Sequence, residues 1–360
     1  MIKHKNSSKF TTVLILWHIS QNKREMPWKG EKDPYKIWLS EIILQQTRVE
    51  QGTAYFNRFV ARYPEISMLA AAKDDDVFKL WEGLGYYSRC RNLLATARFV
   101  QAELNGIFPS AYAELLALKG VGPYTAAAIA SFAFNLPNAV VDGNVYRVLS
   151  RYFGIATAVD SAAGKAQFSE LALQVLDRQN SALYNQAIMD FGATVCKPQI
   201  PLCSICMLKE NCFAFKKNLV AELPIKEKKI IKKKRWFYYV ILEQGKKLLV
   251  KKRVGKDVWQ NLHEFMLVET QVPQKIEDIL LGDEIMMLKL KDYKILNVSG
   301  IISQQLTHQT IHGTFVHIQC NSLTIPPGME MVGRQDLEKL AFPKLINNYM
   351  ETMAPAVSII

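Results

Sequence analysis

The sequence predicts a mainly α-helical N-terminal part followed by a smaller α+β C-terminal domain. Apolar residues recur at helical spacing from residue 1 to about 216, with proline and glycine between the segments. A strongly basic stretch then interrupts the pattern, and from Trp236 onward the spacing is that of strands. We therefore expect a helical region at 1–216, a basic linker at 217–235 and a second domain at 236–360.

The helical segments are clearest in PYKIWLSEIILQQ, VFKLWEGL and RNLLATARFV. In the second domain, WFYYVILEQGKKLLVKKR predicts two strands around a turn near Gly245, and EFMLVE and GTFVHIQC predict further strands. Helices are expected near QKIEDILL and from QDLEKL to the end. The linker sequence KEKKIIKKKR holds seven basic residues and one acidic residue, which favours a solvated segment, either a plain tether or one that lies along phosphates.

The composition is that of a globular protein with a polyanionic partner. Of 360 residues 49% are apolar, and the formal net charge is +12, which favours nucleic acid or an anionic membrane surface. The apolar run from Val13 to Trp17 is too short for a signal peptide, and no stretch approaches the ~18 apolar residues of a membrane helix. We expect a soluble cytoplasmic protein, nucleoid-associated in a bacterium, with no membrane partner.

Four of the six cysteines lie within seventeen residues, in the pattern C-x6-C-x2-C-x5-C; they are Cys196, Cys203, Cys206 and Cys212. In a reducing compartment such a group binds metal rather than forming disulfides. Structural zinc sites usually combine two short knuckles, whereas only one C-x2-C pair is present here. The spacing favours a [4Fe-4S] cluster that holds a loop in place, with a structural zinc site as the alternative.

The stretch LLALKGVGPYTAAAIASFAF predicts a helix, a tight turn and a second helix. Gly120 and Gly122 allow left-handed or close-approach conformations in the turn. Backbone N–H groups at the start of the second helix form a ready phosphate site, although an ordinary helix hairpin would give the same pattern. Asp142 in AVVDGNVYRVLSR follows about twenty residues later, where an aspartate also serves as a simple helix N-cap.

These features in this order resemble the helix-hairpin-helix superfamily of DNA glycosylases, the endonuclease III group, and within it the adenine DNA glycosylase family. The resemblance covers almost the whole chain. The matching stretches are MPW at 26–28, WLSEIILQQTRV at 38–49, WEGLGYYSRCRNL at 81–93, LKGVGPYTAAAI at 118–129, VDGNVYRVLSR at 141–151 and the four cysteines. It implies a six-helix domain at about 28–135, a cluster domain formed by 1–27 and about 136–216, and a Nudix-like domain at 236–360.

The resemblance implies an enzyme that hydrolyses the N-glycosidic bond of adenine mispaired with 8-oxoguanine or guanine in double-stranded DNA. Glu41 shares a helix face with Ile37, Trp38 and Gln45, so its pKa should be raised and it should serve as the acid. Asp142 should remain ionised at its helix start and stabilise the sugar cation or trap it covalently. Tyr124 and Asn144 are implied beside Asp142, where they orient it and the incoming water.

Lyase-active relatives carry a lysine where this chain has Tyr124, and a phenol forms no Schiff base, so strand cleavage should be weak or absent. The rival hypotheses are a lyase-active endonuclease III relative and a non-enzymatic DNA-binding protein. The resemblance further implies that Gln46 and Tyr86 enter the base stack as adenine flips out, and that the enzyme is a monomer.

The C-terminal stretch WQNLHEFMLVE at 259–269 resembles Nudix hydrolases, with Asn261 and His263 in place of the usual Gly and Trp. The spaced glutamates of the Nudix catalytic box are missing from QKIEDILLGDEI, so this domain should bind and not hydrolyse. Relatives read 8-oxoguanine with Phe-Ser-His; the corresponding stretch here is Leu306, Thr307 and His308, in which the hydroxyl and imidazole are retained and the stacking ring is lost.

Overall fold

The computed structural model of the chain describes residues 7–227 and 232–353. Residues 1–6, 228–231 of the predicted linker and 354–360 lie outside the described ranges. The described chain forms two compact units. The first contains the residues up to Ala71 and those from Arg91 into the linker, and the second contains Ala72–Cys90 together with the C-terminal part.

The N-terminal part is helical, as predicted. Its α-helices are α1 Ser7–Gln21, α2 Pro34–Leu44, α3 Val49–Arg62, α4 Ile66–Ala71, α5 Asp74–Trp81, α6 Ser88–Glu103, α7 Tyr112–Ala117, α8 Pro123–Phe134, α9 Gly143–Phe153, α10 Ala162–Val175, α11 Ser181–Thr194 and α12 Phe213–Lys216. The three strongest helical patterns of the sequence correspond to α2, α5 and α6. None of the helices in the described part of the chain is long and apolar enough to cross a membrane.

Helix α2 begins after a capping residue, and most of its side chains are buried. Asp33 caps it by accepting a hydrogen bond from the Tyr35 N–H at 2.9 Å, and Pro34 occupies the first turn, where its missing donor is harmless. The side chains from Ile37 to Ile43 are all buried. A glutamate in this helix is therefore forced into the interior.

The core of the first unit contains α1, α8, α9, α10 and α11. Phe10, Leu14 and Trp17 of α1 pack into it, and the Trp17 ring meets the Phe191 ring edge-on at 5.0 Å. The apolar run at Val13–Trp17 thus belongs to a core helix. This core fixes α9 and α11, which carry the residues described below.

The predicted helix hairpin is confirmed as α7, a short turn and α8. Gly120 has φ +78°, and a Cβ atom there would lie 2.7 Å from Cβ of Asn92, so both conformation and crowding require glycine. Gly122 has φ −91° and ψ 176°, and no atom lies within 4 Å of its Cβ position. A left-handed conformation is thus found at Gly120 and not at Gly122, which is extended backbone with open space beside it.

The beginning of the linker is fastened to the first unit. Leu223 is buried, its carbonyl accepts from Arg151 Nε at 3.0 Å, and the Val159 N–H donates to the Ile225 carbonyl at 3.0 Å. Residues up to 227 are therefore not a loose tether. Lys232, Lys233 and Lys234, beyond the undescribed stretch, are exposed.

The C-terminal part is a mixed sheet with short helices, in agreement with the α+β prediction. The strands are β1 Lys233–Gln244, β2 Lys247–Lys252, β3 His263–Glu264, β4 Met266–Thr270, β5 Lys294–Val298, β6 Ile302–Gln305, β7 Gln309–Gln319 and β8 Met329–Gly333. The helices are α13 Ile276–Leu280, α14 Asp283–Met286 and α15 Lys344–Met353. The QDLEKL stretch forms a 3₁₀ helix at Arg334–Lys339, and α15 follows it.

The sheet is built around one parallel pair. β1 pairs with β7 in parallel register, Tyr239 opposite Phe315, and the other pairings are antiparallel. The β1–β2 hairpin turns at Gly245 as predicted. Asn261, which replaces a glycine of the Nudix pattern, has φ +74°, a conformation that asparagine tolerates better than most residues.

Residues 72–90 pack on the C-terminal part of the second unit. Oε1 of Glu82 accepts from the Phe342 N–H at 2.7 Å and from Asn347 Nδ2 at 2.9 Å. Lys79 Nζ donates to the Leu340 carbonyl at 3.0 Å, and Lys252 forms an ion pair with Asp75. Helix α5 and the loop after it are thus integral to this unit.

Candidate active site

A cavity of about 500 Å³ opens in the first unit. Its walls come from α2, α8, α9, α11 and the irregular segment 22–33 between α1 and α2. Glu41, Tyr124, Asp142 and Asn144, the four residues predicted to carry the chemistry, all line it. The structure therefore brings together side chains that are separated by up to about a hundred positions in the sequence.

Glu41 lies on α2 with 5% of its surface exposed. Burial raises the pKa of this carboxyl from its usual 4.5 to about 7; the hydrogen bond with the Tyr124 hydroxyl opposes the rise, and the nearby charge of Asp142 adds to it. Ile37 and Trp38 are buried beside it, as expected from their spacing. A carboxyl with a pKa near neutrality holds a transferable proton.

Asp142 is both a helix cap and a cavity residue. One carboxylate oxygen accepts from the Val145 N–H at 2.8 Å, and the other accepts from Asn144 Nδ2 at 2.7 Å. Burial raises the pKa of Asp142, whereas these hydrogen bonds and the charge of Arg147 oppose the rise. Desolvation therefore outweighs the stabilisation that the helix start gives the anion, a contribution that the position of Asp142 in the sequence does not show.

Arg147 fixes the orientation of Asn144. Its Nη2 donates to Asn144 Oδ1 at 2.9 Å, which leaves the amide nitrogen directed at Asp142. The same guanidinium donates to the Gly192 carbonyl at 2.7 Å and, through Nε, to the Cys196 carbonyl at 2.7 Å. No sequence motif indicated a role for Arg147, although it lies three residues after Asn144 on the same helix, a spacing at which side chains meet.

Gly192 is required by the close packing of α11 against Asn144. A Cβ atom at this position of α11 would lie 2.7 Å from Cβ of Asn144 and 2.9 Å from its carbonyl oxygen. Gly192 thus allows α9 and α11 to approach closely beside the cavity.

Gln46 stands at the rim of the cavity. It is exposed, immediately after α2, between the lining residues Leu44 and Thr47, and its backbone is left-handed with φ +57°. Such a conformation is strained for a non-glycine residue and is concentrated at functional sites. Gly120 and Gly122, in contrast, do not line this cavity; the part of the chain that the structure describes places them in the exposed hairpin turn.

Tyr86 and Thr307 meet in the second unit. Tyr86, with a left-handed backbone of φ +46° and 42% of its surface exposed, lies in the loop after α5, and its hydroxyl contacts that of Thr307. Thr307 and the exposed His308 form the tip of the β6–β7 hairpin. Residues predicted from separate motifs to touch DNA therefore stand side by side.

The four clustered cysteines line a second, small cavity whose other walls include Val148, Tyr152 and Phe191. Burial is the main cause that raises the pKa of the Cys203, Cys206 and Cys212 thiols, that of Cys206 to about 12. The buried Arg151 holds this loop through the carbonyls of Lys197 at 2.8 Å and Pro198 at 3.2 Å. Apolar walls and four thiols around one cavity are suited to a cationic metal group, which would stabilise the thiolates.

Residues 39–172 match the sequence profile of the HhH-GPD superfamily base excision DNA repair protein, and residues 237–352 match that of the NUDIX domain. A thermostable thymine-DNA glycosylase is similar in structure, with a TM-score of 0.55 and 28% identity over 59% of this chain and 97% of that chain. A non-covalent endonuclease III–DNA complex shares the fold, with a TM-score of 0.51 and 20% identity over 61% of this chain and 99% of that chain. The fold and the acid-lined cavity thus define a DNA glycosylase of the helix-hairpin-helix class.

Curated relatives identify the family of DNA glycosylases to which the chain is similar. The adenine DNA glycosylase of Buchnera aphidicola subsp. Schizaphis graminum (strain Sg) is 36% identical over 263 residues, 73% of this chain and 76% of that protein. That of Buchnera aphidicola subsp. Baizongia pistaciae (strain Bp) is 34% identical over 319 residues, 88% of each chain. The human adenine DNA glycosylase is 43% identical over 215 residues, 57% of this chain and 39% of that protein. The chain belongs to the adenine DNA glycosylase family, and the resemblance noted in the sequence is confirmed.

Proposed function

We propose that the chain is a monofunctional adenine DNA glycosylase of base excision repair, which releases adenine paired with 8-oxoguanine or guanine. The observation that carries the proposal is the pair of carboxyl groups in one cavity. Glu41 has a pKa near neutrality, and Asp142 is held by two hydrogen bonds as an acceptor. Two carboxyls in different environments supply the acid and the charge-stabilising group that glycosidic cleavage requires.

In this mechanism the bond between the sugar C1′ and the adenine nitrogen breaks, and its electron pair leaves with the base. Glu41 donates its proton to adenine N7, so the base leaves as a neutral molecule. The Asp142 carboxylate faces C1′ and stabilises the oxocarbenium ion or bonds to it transiently. Water then adds to C1′ and gives its proton to the Glu41 carboxylate, which restores the acid.

Tyr124 and Asn144 position these groups. The Tyr124 hydroxyl is hydrogen-bonded to Glu41, and burial keeps the pKa of this phenol well above 10, so it remains a neutral donor. Asn144, with its oxygen bound by Arg147, directs its nitrogen at Asp142 and leaves the anion facing the sugar.

The site has no amine where the lyase reaction needs one, because Tyr124 stands at the position of the lysine in bifunctional relatives. Two lysines do line the cavity. Lys29 Nζ donates to the Arg24 carbonyl at 2.7 Å and lies 3.5 Å from Asp190 Oδ2, and Lys32 Nζ donates to the Phe132 carbonyl at 3.0 Å. Both are engaged as cations rather than poised as nucleophiles.

The C-terminal domain, in this proposal, reads the base opposite adenine. The hydroxyls of Tyr86 and Thr307 are in contact, and the exposed His308 is the next residue after Thr307, so this place offers a hydroxyl, an imidazole and a ring that can stack. Glu264, in the Nudix-like stretch at 259–269, is buried and paired with Arg253 and Lys251, so its carboxylate is already engaged in ion pairs. This supports binding without hydrolysis.

We also propose that Cys196, Cys203, Cys206 and Cys212 hold a [4Fe-4S] cluster. The C-x6-C-x2-C-x5-C spacing has a single C-x2-C knuckle, which favours a cluster over a structural zinc ion. The four thiols also line one small cavity, as the ligands of a group with several metal centres would. Such a cluster would neutralise the buried thiolates and hold the loop that Arg147 and Arg151 join to α9.

The partner in this proposal is double-stranded DNA bound by a monomer. The exposed hairpin turn at Gly120 and Gly122 and the excess of 45 basic over 33 acidic residues support contact with the phosphate backbone. Gln46, at the rim, and Tyr86 are placed by the proposal in the base stack as adenine leaves it.

The test is a labelled duplex with one adenine opposite 8-oxoguanine, guanine or thymine. Each sample is divided, and only one half receives hot alkali. Strand breaks only after alkali, with 8-oxoguanine and guanine preferred over thymine, are expected. Breaks without alkali that borohydride traps on the protein would restore the lyase reading, and retained full activity in both Glu41→Gln and Asp142→Asn would refute the mechanism.

A further inference from the structure

The segment 22–33 forms one wall of the active-site cavity although it contains turns and no helix or strand. Arg24, Met26, Trp28 and Lys29 of this segment line the cavity. Its backbone hydrogen bonds are local, such as Lys29 N–H to the Met26 carbonyl at 3.0 Å. Side chains must therefore fix the segment against the rest of the unit.

Asp190 supplies this attachment from α11. Its side chain has no exposed surface. Oδ1 accepts from Arg24 Nη1 at 2.8 Å, and Oδ2 accepts from Asn22 Nδ2 at 2.8 Å and lies 3.5 Å from Lys29 Nζ. Both carboxylate oxygens are thus bound to the wall segment.

The attached groups also bind one another. Asn22 Oδ1 accepts from the Arg24 N–H at 3.0 Å, and the Arg24 carbonyl accepts from Lys29 Nζ at 2.7 Å. Asn22 Nδ2 lies 3.0 Å from His18 Nδ1, which faces the same cavity. One buried carboxylate therefore organises two cations at the surface of the cavity without lining the cavity itself.

We propose that Asp190 is a positioning residue that holds Arg24 and Lys29 in the wall of the adenine pocket. The proposal rests on the proposed function. The positive charge of Arg24 acts on the Tyr124 phenol, which places the guanidinium near the acid pair. The base takes the electron pair of the broken bond and is neutralised by the Glu41 proton, so it must be held with N7 toward that acid while the bond breaks. The wall holds the base in this position only if its side chains are correctly placed.

Stability alone is a poor reason for this arrangement. Replacing a buried ion pair with well-packed apolar residues is often neutral or stabilising, so net stability does not account for the presence of this pair. The partners here are cavity residues, so geometry is what Asp190 contributes. A displacement of about 1 Å in such a group can lower a rate about a hundredfold.

The experiment is single-turnover adenine release by the full-length protein, with the active fraction titrated separately. Asp190→Asn keeps the size and shape of the side chain but directs amide hydrogens at the donors of the wall segment. We expect the rate constant of this variant to fall by roughly a hundredfold with the active fraction unchanged. Asp177→Asn, next to the start of the same helix, removes an acid that accepts from the Gln179 N–H at 3.0 Å and should leave the rate constant unchanged. A wild-type rate constant for Asp190→Asn with a reduced active fraction would overturn the proposal, because it would mean a purely structural role.

Two further measurements keep the outcome decisive. If Asp190→Asn does not fold, Asn22→Ala removes one attachment and should lower the rate constant about tenfold; a wild-type rate constant for Asn22→Ala would overturn the proposal. Hydrogen exchange of residues 22–33, followed in Asp190→Asn without substrate, should accelerate while α11 stays protected, and unchanged exchange would equally refute the attachment. Because exchange needs no activity, a wild-type protein that released no adenine would refute the proposed function alone.

Discussion

Glu41→Gln is expected to stabilise the folded protein at about pH 8 and to have little effect at about pH 5. Burial holds the pKa of this carboxyl at about 7, compared with 4.5 in an exposed chain. The folded state therefore binds the proton more tightly than the unfolded state, and the stability that Glu41 confers is present below about pH 4.5 and is lost as the pH rises through about 7. This difference in proton affinity corresponds to roughly 3 kcal/mol, of which roughly 2–3 kcal/mol develops between the two assay conditions.

The glutamine variant has no proton to lose, so its stability should not follow this decline. Melting temperatures of the two proteins should be similar near pH 5, and the variant should melt roughly 5–10 °C higher near pH 8. Glu103→Gln, a substitution of an exposed glutamate at the end of α6, is the matched control and should follow the wild type at every pH. Parallel pH curves for wild type and Glu41→Gln would show that burial of Glu41 does not perturb its protonation, and the acid assignment would lose its physical basis.

Three further predictions concern the same machinery. The single-turnover rate of adenine release by the wild type should fall as the pH rises above about 7, because the acid form of Glu41 disappears; a rate that stays level to about pH 9 would contradict its role. Tyr124→Phe removes the hydroxyl whose hydrogen bond opposes the rise in the pKa of Glu41. The rate of adenine release should fall because Glu41 loses a group that positions it, and the descending limb of the pH–rate profile should move to higher pH. An unmoved limb would argue against this hydrogen bond. Gly120→Ala should lower the free energy of unfolding by at least about 1 kcal/mol and weaken duplex binding. The matched control is Gly245→Ala, where φ is +60° but the space is open, and it should lose less stability. Equal losses of stability would mean that the contact with Asn92 is irrelevant.

The fold was largely predictable because its signals are local. Helical spacing, the cap at Asp33 and the turn at Gly245 each arise within a few residues, and each element formed where expected. The raised pKa of Glu41 could be predicted for the same reason, since its apolar neighbours lie on its own helix. The family match supplied Asp142 as its partner, and the structure confirms that both line one cavity.

Other features depend on residues that are distant in the sequence. The direction of the Asp142 pKa shift is set by the burial of the whole cavity, which a helix-start argument does not include. Asp190 reaches Arg24 across 166 positions, and Tyr86 reaches Thr307 across 221, so no spacing rule connects them. Of the two glycines in the turn only Gly120 is left-handed, and a glycine-rich turn does not reveal which glycine carries the unusual conformation.

The attachment of Glu82 to the C-terminal end of the chain has a consequence for synthesis. Glu82 and the Phe342 N–H that it accepts from are 260 residues apart in the sequence. At about 5–20 residues per second, the ribosome makes Phe342 roughly 10–50 s after Glu82. Helix α5 and its loop must therefore remain without these partners while most of the protein is made, and the second unit can be completed only after the C-terminal part has been synthesised.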